Sequence, residues 1–201
     1  MIEVEKKFIL SQEQFDIFNN SNSNFLGSRI FTDIYYDTDD LQLTLQDKWL
    51  RSRDGSFELK LSLCLGATRL VDQYEELTDE RAIKKALDME IDNDLSSQLE
   101  ALGYKPFCVC TTTRLKHKNG EFIIDLDKVD FQDFNYYIGE IEVMVNTKEE
   151  VGSAIDNILV YAKQLGLMIA PVRGKVIEYL KRKRPNHYQK LISAGVVFDH
   201  E

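Results

Sequence analysis

A chain of 201 residues with 43% hydrophobic content can bury one substantial core, and one domain spanning 1–201 is expected. The net charge of −9 and pI near 4.9 argue against general nucleic-acid binding, so a polyanion partner would need metal ions or a segregated basic surface. No run approaches the roughly eighteen apolar residues of a membrane span, and MIEVEKKFIL is charged from its third residue, which predicts a cytosolic protein with no membrane partner; a monomer is expected.

In chain order, a first strand is predicted at 2–9, and Ser11 with Gln14 forms a capping box opening a short helix. SNSNFLGS at 21–28 reads as a surface loop. Strands follow at 28–37, 48–54, 56–64 and 69–77, with Asp54-Gly55 a two-residue hairpin signal. Thr78 or Asp79 caps a helix with Ala82, Ile83, Ala86 and Leu87 on one face, and another runs near 93–102 and stops at Gly103. Strands at 107–118 and 121–130 flank a second hairpin signal, Asn119-Gly120, and a last strand covers 137–146. Thr147 with Glu150 opens the longest helix, which ends at Gly166. Two more helices lie at about 175–184 and, started by Pro185, at 186–194. The basic run Lys181–Arg184 ends a helix striped by Val176, Ile177 and Leu180, and reads as a solvated face. Eight antiparallel strands with peripheral helices make an α+β protein, and eight strands suit closure into an antiparallel β-barrel.

The three cysteines, Cys64, Cys108 and Cys110, are an odd count without metal-ligand spacing, so reduced, packed thiols are expected, with Cys108 and Cys110 on one strand face. His117, His187 and His200 read as surface residues.

The informative signal is charge at spacing i, i+2: Glu3/Glu5/Lys7, Arg51/Arg53, Glu58/Lys60, Asp125/Asp127 and Glu140/Glu142. Residues two apart in a strand share a face, and apolar residues alternate with these charges. The charges are also sorted by strand. Acids lie on the first, seventh and eighth, bases on the third and, with Arg114, the sixth, and both signs on the fourth. Like charges on one face repel, so each cluster requires an offset. Divalent cations would supply it on the acidic side and a polyphosphate on the basic side. A barrel closed with this face inward would be a polar, solvated tunnel, since a dry core could not hold such charges.

Glu3-Val4-Glu5-Lys6-Lys7 resembles the Glu-x-Glu-x-Lys signature of CYTH-domain proteins, the triphosphate tunnel metalloenzymes. The resemblance continues through DIYYDT, DKWLRSR, FELK, YEELT, DLDKVDF, GEIEVMV and YLKRKRP, and this series is similar to the animal thiamine-triphosphatase branch. It implies an eight-stranded tunnel that hydrolyses a small-molecule triphosphate with magnesium, two ions with substrate. Glu3, Glu5, Glu76, Asp125, Asp127, Glu140 and Glu142 would then supply the metal-side carboxylates, and Lys7, Arg51, Arg53, Lys60, Arg114 and Lys175 the phosphate side. Tyr35 and Lys60 would form the pair that activates water, with Lys60 as the cation near the phenol. Trp49 would lie at the rim on the thiazolium ring. Glu58 would meet either metal or Lys60. Tyr36 would pack outward under a helix. Ser52 stands where the branch has another arginine, and the short tail beyond Leu191 is expected to uncover one mouth. The rival readings are a tripolyphosphatase or broad nucleoside triphosphatase on the same tunnel, and a polyphosphate-binding module without catalysis.

Overall fold

The computed structural model describes residues 2–20, 24–63, 72–170 and 172–197. Its strands are β1 (Ile2–Ile9), β2 (Asn24–Asp37), β3 (Lys48–Arg53), β4 (Ser56–Ser62), β5 (Asp72–Leu77), β6 (Lys105–Asn119), β7 (Phe122–Asp130) and β8 (Asn135–Val145). The helices are α1 (Gln12–Asn20), α2 (Glu80–Ala86), α3 (Leu95–Ala101), α4 (Val151–Gln164), α5 (Lys175–Lys183) and α6 (Pro185–Ser193). All strand pairs are antiparallel, and the sheet closes in the order β1-β5-β4-β3-β2-β6-β7-β8. The expected closed barrel of an α+β protein is therefore present. β1 closes it, pairing with β5 on one side and β8 on the other.

Local chemistry sets the boundaries. Asp54 and Gly55 both take positive φ, 49° and 91°, as the two-residue turn between β3 and β4 requires. Ser11 and Gln14 cap reciprocally: Gln14 N–H donates to Ser11 Oγ at 3.1 Å, and Ser11 N–H to Gln14 Oε1 at 2.9 Å. Asp79 and Asp94 cap α2 and α3 through the N–H groups of Ala82 and Ser97. Glu150 accepts from Thr147 N–H at 3.0 Å, the expected half of the box before α4.

Two expectations change here. Residues 24–28 are strand rather than loop, because the long β6 extends the pairing to Asn24↔Lys118, with a register shift between Phe25 and Gly27. His117 is buried at 1% exposure beneath Phe25, and His187 at 7%, where Thr44 holds it. Their polarity suggested surface, but strand pairing and helix docking cover them. His200 and Cys64 lie outside the described residues, as do the outer ends of the strands expected at 56–64 and 69–77.

Three apolar clusters coat the barrel. α1 and α4 pack on the outward residues of β1, β7 and β8, including Val4, Leu126 and Ile141. α2 and α3 cover Leu50, Leu59 and the outward Tyr36. α5 and α6 sit over the barrel end where β3 begins, with Tyr35, Phe107, Ile138, Leu180 and Leu191 in one cluster. Cys108 and Cys110 are buried in that cluster, as ordinary packing requires. No helix among the described residues is long and apolar enough to cross a membrane.

Candidate active site

The alternation that coats the outside with apolar residues turns the charges inward. Cross-strand partners carry the charged face around the barrel: Glu5↔Glu142, Lys7↔Glu140, Asp125↔Glu140, Arg114↔Asp127, Tyr35↔Arg51, Asp33↔Arg53, Arg51↔Glu58 and Lys60↔Glu76. The interior is a cavity of about 460 Å³. Glu3, Glu5, Glu76, Glu140 and Glu142 line it, with Lys7, Arg51, Arg53, Lys60, Arg114, Lys175, Tyr35 and Trp49.

Glu3, Glu5 and Glu142 converge, with one carboxylate oxygen from each lying within 4.8 Å of the other two. Burial pushes Glu5 up to about 7 against the pull of Lys7 and Lys60. Burial, reinforced by the charge on Asp125, pushes Glu142 up to about 7. Glu3 is buried too, yet Lys60, whose Nζ donates at 2.5 Å, holds it below the usual carboxylate range. Three oxygen-donor carboxylates that resist sharing their charge fit a hard divalent cation.

Asp125 and Asp127 face inward but lie beneath the lining. Asp127 takes Arg114 in a bidentate pair at 2.7 and 2.6 Å, and Asp125 pairs with Arg114 and, at 3.2 Å, with Lys116. Glu140 completes that group at 3.0 Å from Arg114 and is held down to about 2, Arg114 and Lys7 outweighing its burial. Arg114 therefore stands on three acids, while Glu3, Glu5 and Glu142 form a separate carboxylate corner.

Arg51 is the second hub. Its Nε donates to Glu58 at 2.7 Å and its Nη2 to Glu76 at 3.1 Å. Glu58 is thus the partner of Arg51 rather than Lys60, as the direct register Arg51↔Glu58 dictates. The Tyr35–Lys60 pairing also differs. Those residues stand on β2 and β4 with β3 between them, about 10 Å of sheet at ordinary strand spacing. Tyr35 meets Arg51 Nη1 at 3.4 Å instead, and burial raises its phenol pKa despite Lys175 and Arg51 nearby.

Sequence reasoning missed three interior residues. Asp33 has no exposed surface and accepts from Arg53 at 2.8 and 3.1 Å and from Lys175 at 2.5 Å. Those cations outweigh its burial and hold its carboxyl well below the usual range. Phe31 offers its ring to Arg53 at 4.1 Å, Lys175 at 5.1 Å and Arg114 at 5.6 Å, which eases their crowding. Lys116 lines the cavity beside Glu142 at 3.3 Å. The i, i+2 rule reaches all three: Phe31 and Asp33 precede Tyr35 on its face, and Lys116 follows Arg114.

A strap between α4 and α5 closes over the helix-covered end. Lys6 Nζ donates to Ala170 O, and Tyr136 Oη donates to Arg173 O at 2.7 Å. Val172, Arg173 and Gly174 of the strap line the cavity, as do Val196 and Val197 of the tail. Short as it is, the tail reaches the mouth it was expected to leave uncovered.

Fold and site together define a barrel whose interior is lined with paired carboxylates and cations, a chamber suited to a metal and a polyanion. The CYTH domain family model matches residues 1–168. The thiamine-triphosphatase of Macaca fascicularis is 32% identical over 209 residues, covering 97% of this chain and 91% of that one, and its human counterpart 31% over 212 with the same coverage. The PH1819 protein of Pyrococcus horikoshii shares the fold at TM-score 0.66 and 22% identity, over 90% of this chain and 99% of that one. A Hippeastrum protein described as an adenylyl cyclase with dominant triphosphatase activity shares it at TM-score 0.54 and 14% identity, over 90% and 95%. The chain belongs to the CYTH domain family.

Proposed function

We propose that this chain hydrolyses the terminal phosphoanhydride of thiamine triphosphate inside the barrel, with magnesium held by Glu3, Glu5 and Glu142. The observation that carries this reading is the charged interior. The Glu3/Glu5/Glu142 carboxylates converge in the same cavity that Arg51, Arg53, Lys60, Arg114 and Lys175 line. Thiamine as the organic half rests on the two relatives of that name, which match the chain nearly end to end.

Bound magnesium, two ions in this reading, supplies a Lewis acid that polarises phosphate oxygens and offsets the charge that develops on them. The protein's own groups do the rest. The guanidinium forks of Arg51, Arg53 and Arg114 hold phosphate oxygens in fixed directions, and Lys7, Lys60 and Lys175 add point charges. Their carboxylate partners keep each cation oriented before substrate arrives, which is electrostatic preorganisation. Tyr35 is a neutral hydroxyl at neutral pH, so it orients the attacking water by hydrogen bonding rather than removing its proton as a phenolate. The enzyme is read as a cytosolic monomer.

A second substrate has a specific observation behind it: the cavity is lined by Lys7, Arg51, Arg53, Lys60, Arg114 and Lys175, cations that suit phosphate oxygens whatever the organic half, so tripolyphosphate suits the same chamber. The deciding experiment is phosphate release from thiamine triphosphate, tripolyphosphate, ATP and GTP, with and without magnesium. Thiamine triphosphate turned over fastest, and only with metal, is the expected result. Binding of all four with turnover of none would make the chain a polyphosphate-binding module.

A further inference from the structure

Each acid of the carboxylate corner carries a lysine of its own. Lys60 Nζ donates to Glu3 at 2.5 Å, Lys7 Nζ donates to Glu5, and Lys116 Nζ donates to Glu142 at 3.3 Å. Three acids thus meet three bases, which lets like-charged side chains share one cavity. The three lysines are not held alike. The side chains of Lys7 and Lys60 are enclosed, 12% and 17% exposed, whereas that of Lys116 is 39% exposed.

Lys116 stands on β6 two residues beyond Arg114 and directly opposite Asp125 on β7. Its stem crosses β7 toward Glu142 on β8, and the ammonium lies between two acids, 3.2 Å from Asp125 Oδ1 and 3.3 Å from Glu142 Oε1. Charge-assisted hydrogen bonds run to about 2.7–2.9 Å, so both contacts are long. Arg114, by contrast, grips Asp127 at 2.7 and 2.6 Å on the same pair of strands. Asp125 Oδ1 is buried and makes no hydrogen bond among the described residues. A flexible stem, a part-exposed head and two long contacts describe a cation kept in place by the surrounding charge, not by a fitted set of bonds.

We infer that Lys116 is a displaceable counter-ion of the carboxylate corner. It neutralises Glu142 and Asp125 until a divalent cation arrives, then swings off Glu142 into solvent, and so sets the free-metal concentration at which the corner fills. This rests on the reading of Glu3, Glu5 and Glu142 as the magnesium site, and adds to it the residue that regulates loading. An ammonium carries one charge and only donates hydrogen bonds, so it holds the acids apart from one another without doing the metal's chemistry. Lys7 and Lys60, being enclosed, have no such path outward.

Calorimetric titration of the substrate-free protein with magnesium chloride tests this. Lys116→Met keeps the stem and removes the charge, and should lower the Kd for magnesium about tenfold, the scale of coupling between two ligands that oppose each other. Lys116→Arg keeps the charge and should stay near the parent. The magnesium concentration that half-saturates thiamine triphosphate hydrolysis should fall by a similar factor in Lys116→Met. In the parent, amine labelling read by mass spectrometry should modify Lys116 faster with magnesium than without. Equal Kd values in the parent and Lys116→Met, the same shift in both variants, or labelling that magnesium leaves unchanged overturns the inference. The two readings fail separately. Tighter magnesium binding by Lys116→Met with no triphosphate hydrolysed would remove the triphosphatase and keep the counter-ion, whereas magnesium-dependent hydrolysis with equal Kd values would do the reverse.

Discussion

Tyr35 and Arg51 stand directly opposite each other on β2 and β3, and Arg51 Nη1 donates to the phenol oxygen at 3.4 Å. The hydroxyl is held by a cation that also lines the cavity. Removing it in Tyr35→Phe should lower kcat about 10²-fold with little change in KM, the lower range for losing a group that handles a proton. Lys60→Ala should be worse and should also raise KM, since Lys60 both faces the cavity and neutralises Glu3. Steady-state kinetics decide, and a Tyr35→Phe enzyme with normal turnover removes the hydroxyl from the mechanism.

Asp33 carries the cationic wall. It is fully buried and pairs with Arg53 and Lys175, with Arg51 Nε at 3.9 Å. Asp33→Ala leaves those cations without their shared acid, a change that typically costs about 3–5 kcal/mol. Urea denaturation should show the loss in midpoint. Added tripolyphosphate should recover part of it, because phosphate oxygens replace the missing carboxylate. A variant as stable as the parent would make the Asp33 pairs incidental.

Magnesium should stabilise the protein more as pH rises. Glu5 and Glu142 are raised to about 7 in the metal-free fold from an ordinary value of 4.5. Their contribution is therefore fully present below pH 4.5 and is lost as pH rises through 7. Metal binding needs the deprotonated forms, so the magnesium-induced rise in Tm should be larger at pH 8 than at pH 6. Glu142→Gln should flatten this dependence and reduce turnover by about 10²–10³-fold, several kcal/mol of lost charge stabilisation. A thermal shift independent of pH in the parent would argue against this carboxylate corner as the metal site.

His187 predicts the opposite pH slope on the acid side. Burial lowers it to about 4 from 6.5, and its Nε2 lies 2.8 Å from Thr44 Oγ1. Because Thr44 already donates to Asp37 at 2.6 Å, His187 is the donor to Thr44 and is neutral. A depressed histidine contributes fully above the unfolded pKa, and the unfolded chain binds more protons as pH falls toward 4. By pH 5 the loss should be about 2 kcal/mol. Denaturation midpoints at pH 7 and 5 should therefore fall further apart in the parent than in His187→Gln, and equal slopes would show that His187 does not set them.

The barrel was legible because its rule is short-range: a period of two places Glu3, Glu5 and Lys7 on one face and Val4 on the other, whatever the partner strand. Hairpin and capping residues act within a few positions, so the elements lie close to where they were expected. Pairing across strands is not local. That Glu58 belongs to Arg51, and that Arg114 occupies Asp127 and Asp125, follows from register. Asp33 was hidden for another reason. Its face of β2 carries Phe31 and Tyr35, which broke the all-charged pattern that exposed the other strands. The histidines show the converse, since burial by a docked helix or a paired strand leaves no trace in the neighbouring residues.

Because β1 is the strand that closes the barrel, the carboxylate corner is assembled across the seam. Glu3 and Glu5 come from the start of the chain, and Glu142 arrives with the last strand. Long loops must close before this pairing forms, so the seam belongs to the slow, non-local part of folding. Its final register, Glu5 against Glu142, brings two like charges together at the moment of closure. A divalent cation held there would act as a rivet across the join, and refolding in its presence should be faster as well as more complete.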